Sequence, residues 1–245
     1  MTRIVGYTLN IAPCCGAIYS TPRYSSMNFS AWEYWTDGYK EGSLIPSGNG
    51  LRKCKCGNFF MLTELHEITR IDATEAPYPK RVASEELPEA IAKALTPIIE
   101  QAARQEYWVH LNHPYRESYR THRDAEEAFT KAAWEADNPD TRNWWQRFRK
   151  VPSPRYTPQQ GCPFTYPPFE PDHEQRKNMA ALIDLMQNQD NPDRVILAEL
   201  HRELGDFGEA DCELKLLSND ERGSASRLIS ELVNEMQSAP IRFQM

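Results

Sequence analysis

A chain of 245 residues, 40% hydrophobic and 11% aromatic, carries enough apolar surface to build a core, and its net charge of −7 excludes a generally basic nucleic-acid binder. The acid is unevenly spread: Lys plus Arg against Asp plus Glu stands at 8 to 7 over residues 1–80, 12 to 12 over 81–156 and 8 to 16 over 157–245, so the C-terminal third lacks the positive surface that phosphate binding needs. No apolar run of signal-peptide length follows Met1, and no segment approaches the ~20 apolar residues of a membrane span; the expectation is a cytoplasmic protein with no membrane partner.

The first informative stretch, within an expected domain of residues 1–75, runs from Asn10 to Phe60. It opens with Cys14-Cys15-Gly16 and closes with Cys54-Lys55-Cys56-Gly57. Two tight cysteine pairs, each followed by Gly, are how two turns offer thiolates to one tetrahedral Zn²⁺, and in a reducing compartment paired cysteines are metal ligands more often than disulfides. The spacing departs from a pair of Cys-x-x-Cys knuckles. Adjacent side chains on a strand point to opposite faces, so Cys14 and Cys15 share an ion only if the backbone turns between them, as Pro13 and Gly16 favour. Without that turn, Cys15, Cys54 and Cys56 keep the metal with a fourth ligand from elsewhere, His66 being nearest in sequence; without a metal, the four are reduced thiols in two turns. A site of four thiolates, Cys14, Cys15, Cys54 and Cys56, has no open position for water or substrate, so the Zn²⁺ expected here is structural. Its ~10–16 kcal/mol of apparent binding free energy is enough to stabilise a small ribbon with a thin core.

Between the pairs lie Tyr19, Tyr24, Phe29, Trp32, Tyr34, Trp35 and Tyr39. They read as rings packed over the ribbon, or else as a docking platform on a rigid sheet. Thr36-Asp37-Gly38 has the chemistry of a hairpin turn, residues 46–50 that of a second turn, and Phe59-Phe60-Met61-Leu62 that of a returning strand. Pro13 to Gly16, the segment from Pro22-Arg23-Tyr24 to Trp35-Thr36-Asp37-Gly38, and Arg52 to Phe60 together resemble the N-terminal zinc ribbon of uncharacterised bacterial proteins, over residues 10–62. The resemblance implies a metal site and a bacterial cytosolic setting, and no activity.

Residues 84–150 read as a helical domain. Ser84 is a candidate N-cap, and Leu87, Ile91, Ala94, Leu95, Ile98 and Ile99 fall at helical spacing. Pro88 comes early enough to be harmless, whereas Pro97 should kink or divide the helix. A second helix is expected over Arg116 to Ala136, with Ala125, Ala128, Phe129, Ala132 and Ala133 as its buried stripe. His110 and His113 lack the cysteine or carboxylate neighbours of a second metal site. Thr141 to Lys150 sets Trp144, Trp145 and Phe148 among Arg142, Arg147, Arg149 and Lys150. This is either a short amphipathic helix docked through its rings or a surface that stacks on single-stranded nucleic acid. Seven prolines between Val151 and Pro171 mark a linker, placed at residues 151–172. Cys162 and Cys212 stand alone and read as ordinary loop or packed cysteines.

In the last unit, residues 173–245, Met179, Leu182, Ile183 and Met186 form a helical stripe over Glu174 to Gln189. Arg194 to Ala210 then sets Leu197 and Ala198 in one helix, Gly205 at a turn, Phe207 past it and Ala210 in a second helix. Residues 191–224 are similar to one tetratricopeptide repeat, although Leu214 replaces the usual aromatic and the closing proline is absent. One repeat cannot bury its own face, so helices at Glu174–Gln189 and Ser224–Gln237 should pack on either side. The fold class expected is α+β: a small N-terminal β zinc ribbon followed by a mainly α-helical body with a tetratricopeptide-like hairpin. No His-Glu-x-x-His, Gly-x-Ser-x-Gly, phosphate loop or dinucleotide fingerprint occurs, and no constellation argues for an enzyme. The expectation is a zinc-stabilised cytosolic interaction or adaptor protein with a protein partner, and nucleic-acid binding through the ribbon aromatics and Trp144 to Lys150 as the alternative.

Overall fold

The computed structural model describes residues 3–27, 30–43, 50–140, 142–149, 152, 155–157, 167–218, 220 and 222–243, with Gln146 and Arg147 described by backbone alone. Most of the expected 46–50 turn, Phe29, Cys162 and most of the proline-rich stretch lie outside these residues. The chain divides into two compact units: residues 1–112 with 170–245, and residues 113–169. The fold is α+β, small antiparallel sheets followed by a helical body.

Three three-stranded antiparallel sheets form in the first unit. Strand β1 (Arg3–Ile11) lies between β2 (Ile18–Ser26) and β7 (His66–Ile71); β3 (Ser30–Trp35) between β4 (Lys40–Ser43) and β9 (Arg242–Phe243); β5 (Leu51–Lys53) between β6 (Phe59–Met61) and β8 (Lys80–Arg81). The Thr36–Gly38 turn closes the β3–β4 hairpin: Gly38 takes φ +82° and its N–H donates to the Trp35 carbonyl at 3.0 Å. Strand β9, from the far end of the chain, pairs Phe243 with Tyr34 and Arg242 with Trp35, and Arg242 reaches Glu33 at 3.5 Å.

The proline at 97 divides the first helical stretch. Helix α1 (Leu87–Ala92) ends before it, and α2 (Pro97–Leu111) starts on it, where the missing N–H is no loss. Thr96 caps α2 by accepting from the Ile99 N–H at 3.4 Å. Ser84 is not the cap expected of it: residues Ser84–Glu86 form a 3-10 turn, and the Glu86 carboxylate accepts from the Ala83 N–H at 2.9 Å. Because the helix breaks, its apolar stripe breaks too, leaving Leu95 and Ile98 exposed. The buried part, Leu87, Ala90, Ile99, Ala102 and Ala103, packs on Leu51, Phe59 and Met61 of the β5–β6 hairpin.

Helix α5 (His173–Gln187) is capped reciprocally by Asp172 and Gln175, each side chain accepting from the other's backbone N–H at 2.8 Å. Its expected stripe, Met179, Leu182, Ile183 and Met186, packs with Trp108 of α2 and with Leu197 and Leu200 of α6 (Arg194–Leu204). Gly205 closes α6 at φ +86°, with its own N–H and that of Asp206 returning to Arg202 and His201 carbonyls. Helix α7 (Phe207–Lys215) turns back along it. Ala198 and Ala210 are both fully buried between the two helices, and Ile229 and Val233 of α8 (Ser224–Asn234) complete that core.

The second unit holds α3 (His113–Asp137) and α4 (Trp144–Phe148). Here one expectation fails. The alanine stripe of α3 is exposed, and Phe129 is 78% exposed. Burial concentrates instead at Tyr115, Arg116 and Tyr119 in the first turns, where Tyr115 meets Phe169 edge-on at 5.0 Å. Further along, Tyr156 covers Trp134 at 5.9 Å and the alanines stay in solvent. No helix among the described residues is long and apolar enough to cross a membrane.

Candidate metal centre

The four cysteines sit in two facing turns. In the β1–β2 turn the Ala12 N–H donates to the Ala17 carbonyl at 2.9 Å and the Gly16 N–H to the Ala12 carbonyl at 3.1 Å, with Gly16 at φ +70°. In the β5–β6 turn the Cys54 N–H donates to the Asn58 carbonyl at 2.8 Å and the Gly57 N–H to the Cys54 carbonyl at 2.9 Å, with Gly57 at φ +90°. The glycine after each pair supplies the positive φ that closes its turn. The backbone does turn between Cys14 and Cys15, so both sulfurs face the other pair.

All four Sγ atoms lie within 4.8 Å of one another. Cys14 and Cys56 approach to 3.5 Å, and so do Cys15 and Cys54. A tetrahedron of sulfurs around one ion at a Zn–S bond of ~2.3 Å has edges of ~3.8 Å, so the set has the size that one such ion fills. His66 stands at the end of β7 opposite Ile11, outside the group. With four protein sulfurs available, the centre needs no ligand from solvent.

Tyr19 is buried beneath the cluster. Its hydroxyl donates to Cys54 Sγ at 3.4 Å and accepts from the Lys55 N–H at 2.8 Å. Its ring packs on Phe60 at 5.9 Å, in a small core with Ala12, Ala17 and Cys54. Cys54 is 3% exposed, whereas Cys15 and Cys56 face solvent and Cys14 is half-buried. Burial opposes ionisation of the Cys54 thiol, but the Cys56 backbone N–H, the Tyr19 hydroxyl and the thiols of Cys14 and Cys15 outweigh it and bring Cys54 down to about 6. Burial and hydrogen bonds to Cys54 and Cys56 push Cys14 up. At Cys15 the Ala17 backbone favours the thiolate, and its hydrogen bond to Cys54 leads the opposing contributions that push it up. Without a cation, the same contacts that favour the thiolate at Cys54 hold Cys14 and Cys15 toward the protonated form. A divalent cation removes that conflict by taking the other protons' place.

The aromatics between the pairs do not act together. Tyr19 packs under the cysteines, Trp35 is buried in the β4-β3-β9 sheet with its ring N–H on Glu33 at 2.5 Å, and Trp32 and Tyr24 are exposed. On α4, Trp144, Trp145 and Phe148 are 65%, 61% and 71% exposed and touch one another at centroid distances of 4.5 to 6.4 Å. Among the described residues they pack on one another. His110 is exposed and stacks on Tyr107, and Cys212 is exposed on α7.

A buried charge network escaped the sequence reading. Arg202 is fully buried and pairs with Glu199 through two hydrogen bonds, at 2.7 and 2.5 Å. It also donates to Thr36 Oγ1 at 3.4 Å and to the Gln237 carbonyl. Glu203, fully buried one residue on, accepts from Trp108 Nε1 at 2.8 Å and from Asn112 Nδ2 at 3.0 Å, while the same Asn112 amide reaches Asp37 at 3.3 Å. Burial, followed by the charges of Glu199 and Asp37, pushes Glu203 well above the usual carboxylate range. These side chains join the β3–β4 turn, α2, α6 and the segment after α8.

Comparison with known protein families, with curated proteins and with solved structures finds no match. The cysteine cluster and the helical hairpin accordingly stand on their own geometry.

Proposed function

We propose that this chain is a zinc-stabilised interaction or adaptor protein of the bacterial cytoplasm, non-catalytic, whose Cys14, Cys15, Cys54 and Cys56 form a structural zinc ribbon and whose α6–α7 hairpin is a tetratricopeptide-like docking element for a protein partner. The observation that carries the zinc part is the sulfur cluster: four Sγ atoms within 4.8 Å, offered by two glycine-closed turns. Thiolates select a soft or borderline cation, and a complete sulfur tetrahedron suits Zn²⁺ in a fold-stabilising role. The interaction part is supported by apolar side chains left on the sheet surface near that centre. Ile11 and Ile18 are cross-strand neighbours, both exposed at the Cys14–Cys15 end of the sheet, and Ile4, Tyr24 and Ile68 are exposed elsewhere on the same three strands; exposed apolar surface of this kind suits a binding role.

Elemental analysis of protein purified without added metal, for the intact chain and for Cys54→Ser with Cys56→Ser, tests the centre. The expected result is one zinc per chain, lost together with the β1–β2 fold in the double variant. No zinc and a folded variant would overturn it. For the partner, the intact chain should retain a cellular protein in fixed ratio through its α6–α7 hairpin, and failure of any protein to copurify specifically with it would overturn the interaction reading.

The second reading, single-stranded nucleic acid stacked on Trp144, Trp145 and Phe148, is favoured by their exposure and mutual contact. It requires binding that weakens steeply with salt, and flat low-salt titrations with single-stranded DNA and RNA would dispose of it.

A further inference from the structure

We propose that the same four cysteines are an oxidation site: hydroperoxides eject the metal and convert the centre into two disulfides, Cys14–Cys56 and Cys15–Cys54, an inference that rests on the zinc reading of these residues. The pairing follows from the contacts. Sulfurs 3.5 Å apart join Cys14 to Cys56 and Cys15 to Cys54, across the two turns. Bonding within a turn would close the very small ring of adjacent Cys14 and Cys15, or the small ring of Cys54 and Cys56, and disulfides tolerate such distortion poorly.

Access divides the labour within each pair. Cys56 and Cys15 are exposed, and their partners Cys14 and Cys54 are the more sheltered ones. The exposed thiolate attacks the terminal oxygen of the peroxide, an S–O bond forms as the O–O bond breaks, and the departing oxygen takes a proton and leaves as water from hydrogen peroxide or as the alcohol from an organic hydroperoxide. The sheltered thiolate then attacks the resulting sulfenic sulfur, the S–S bond forms, and the S–O bond breaks with its oxygen leaving as a second water. Each pair of thiolates gives up two electrons to one peroxide as its disulfide forms. For the whole centre, four thiolates, two hydrogen peroxide molecules and four protons yield two disulfides, four waters and free Zn²⁺.

The new bonds span 42 and 39 residues and constrain the same two turns that the metal joined. Long closed loops restrict the unfolded chain strongly, so the oxidised, metal-free protein should stay folded. A metal staple would be exchanged for a covalent one, reversibly.

The test uses the full chain with Cys162→Ser and Cys212→Ser, so that only these thiols report. Hydrogen peroxide is titrated in while a chromophoric chelator reads released zinc and a thiol reagent counts free sulfhydryls. A non-reduced tryptic digest then maps the bonds. Trypsin cuts after Arg3, Arg23, Lys53, Lys55 and Arg70, so cross-turn pairing yields one species of three linked peptides, and within-turn pairing yields two separate species; fragmentation assigns the cross-turn partners. The expected result is one zinc released at about two equivalents of peroxide, all four thiols lost, the three-peptide species with Cys14 on Cys56, an unchanged far-ultraviolet spectrum, and recovery of thiols and zinc binding on reduction. Within-turn pairs, sulfinic acids in place of disulfides, or zinc retained in excess peroxide would each overturn the proposal. A preparation holding no zinc sinks the metal reading itself, and the digest then decides the pairing alone.

Discussion

Replacing Glu203 by Gln should cost about 1 kcal/mol at pH 5 and make the protein more stable than the parent at pH 8. Glu203 is fully buried on α6, and its burial, with Glu199 and Asp37 nearby, holds its carboxyl in the protonated form well above the ordinary 4.5. The folded state therefore binds a proton that the unfolded state has released. Where the folded value is raised, stability is fully present below the unfolded value and falls as pH rises, roughly a tenfold drop in the folded-to-unfolded ratio per pH unit until the folded value is passed. Gln copies the shape of the neutral acid and cannot ionise. Its oxygen, placed where Oε2 accepts from Trp108 at 2.8 Å and Asn112 at 3.0 Å, keeps both contacts; only the 3.2 Å contact of Asn112 with Oε1 is lost, at about 1 kcal/mol. Urea unfolding from pH 5 to 8, at fixed protein and metal concentration, should give a flatter stability profile for the variant, which starts about 1 kcal/mol below the parent at pH 5 and crosses above it as pH rises. The neighbouring substitution Glu199→Gln is the contrast. It strips a buried Arg202 of its carboxylate and should cost ~3–5 kcal/mol at every pH. A large loss for Glu203→Gln at pH 8, or an undiminished pH slope, would refute a neutral carboxyl there.

The other expectations use the same structure. Gly6 sits at φ +141° with Ile71 O only 2.8 Å from where a Cβ would lie, so Gly6→Ala should cost ~1–3 kcal/mol and loosen the β1–β7 pairing, read by thermal unfolding. Met236 holds φ +52° at the end of α8, where the Gln237 N–H returns to the Leu232 carbonyl; Met236→Gly should stabilise by ~1 kcal/mol by removing left-handed strain, visible in the urea midpoint. Tyr19→Phe removes the donor to Cys54 and the acceptor for Lys55, and should weaken zinc binding about 10-fold or more in chelator competition. Chelating the metal should raise amide hydrogen exchange in β1, β2 and β5 while the α5–α8 helices stay protected, because their cores, built on Met179, Leu197, Ala198 and Ile229, contain no cysteine ligand.

What was legible in the sequence was local. The two Cys-Gly turns, the Asp37-Gly38 hairpin, the break at Pro97, the α5 stripe and the Gly205 stop each depend on residues within a few positions of one another, and each stands where its spacing placed it. Apart from Ser84, where a turn closed by Glu86 replaces the expected cap, what the sequence did not report is non-local. Glu199, Arg202 and Glu203 look like the wet face of an amphipathic helix, yet their partners Thr36 and Asn112 lie 166 and 91 residues away, and nothing in a local window reports that approach. The alanine stripe of α3 fails for the converse reason. Periodicity tells which face can be buried, and burial still requires another element to cover it.

The cysteine cluster and the buried charge network answer one problem of size. A three-stranded sheet is near the lower limit of independent stability, and this unit carries three of them on strands that come from both ends of the chain. The β6-β5-β8 sheet rests on α1 and α2 through Leu51, Phe59 and Met61. The β2-β1-β7 sheet buries mostly polar side chains such as Thr8 and Asn10 and leaves Ile11 and Ile18 in solvent, so it lacks an apolar core of comparable depth. What joins it to the β5–β6 hairpin is the cysteine cluster with Tyr19 and Phe60. The β4-β3-β9 sheet is tied to the helices by Thr36 and Asp37 through Arg202 and Asn112. A cluster of four cysteines able to hold one metal ion and a charge network with paired hydrogen bonds both offer directional links where apolar area is short.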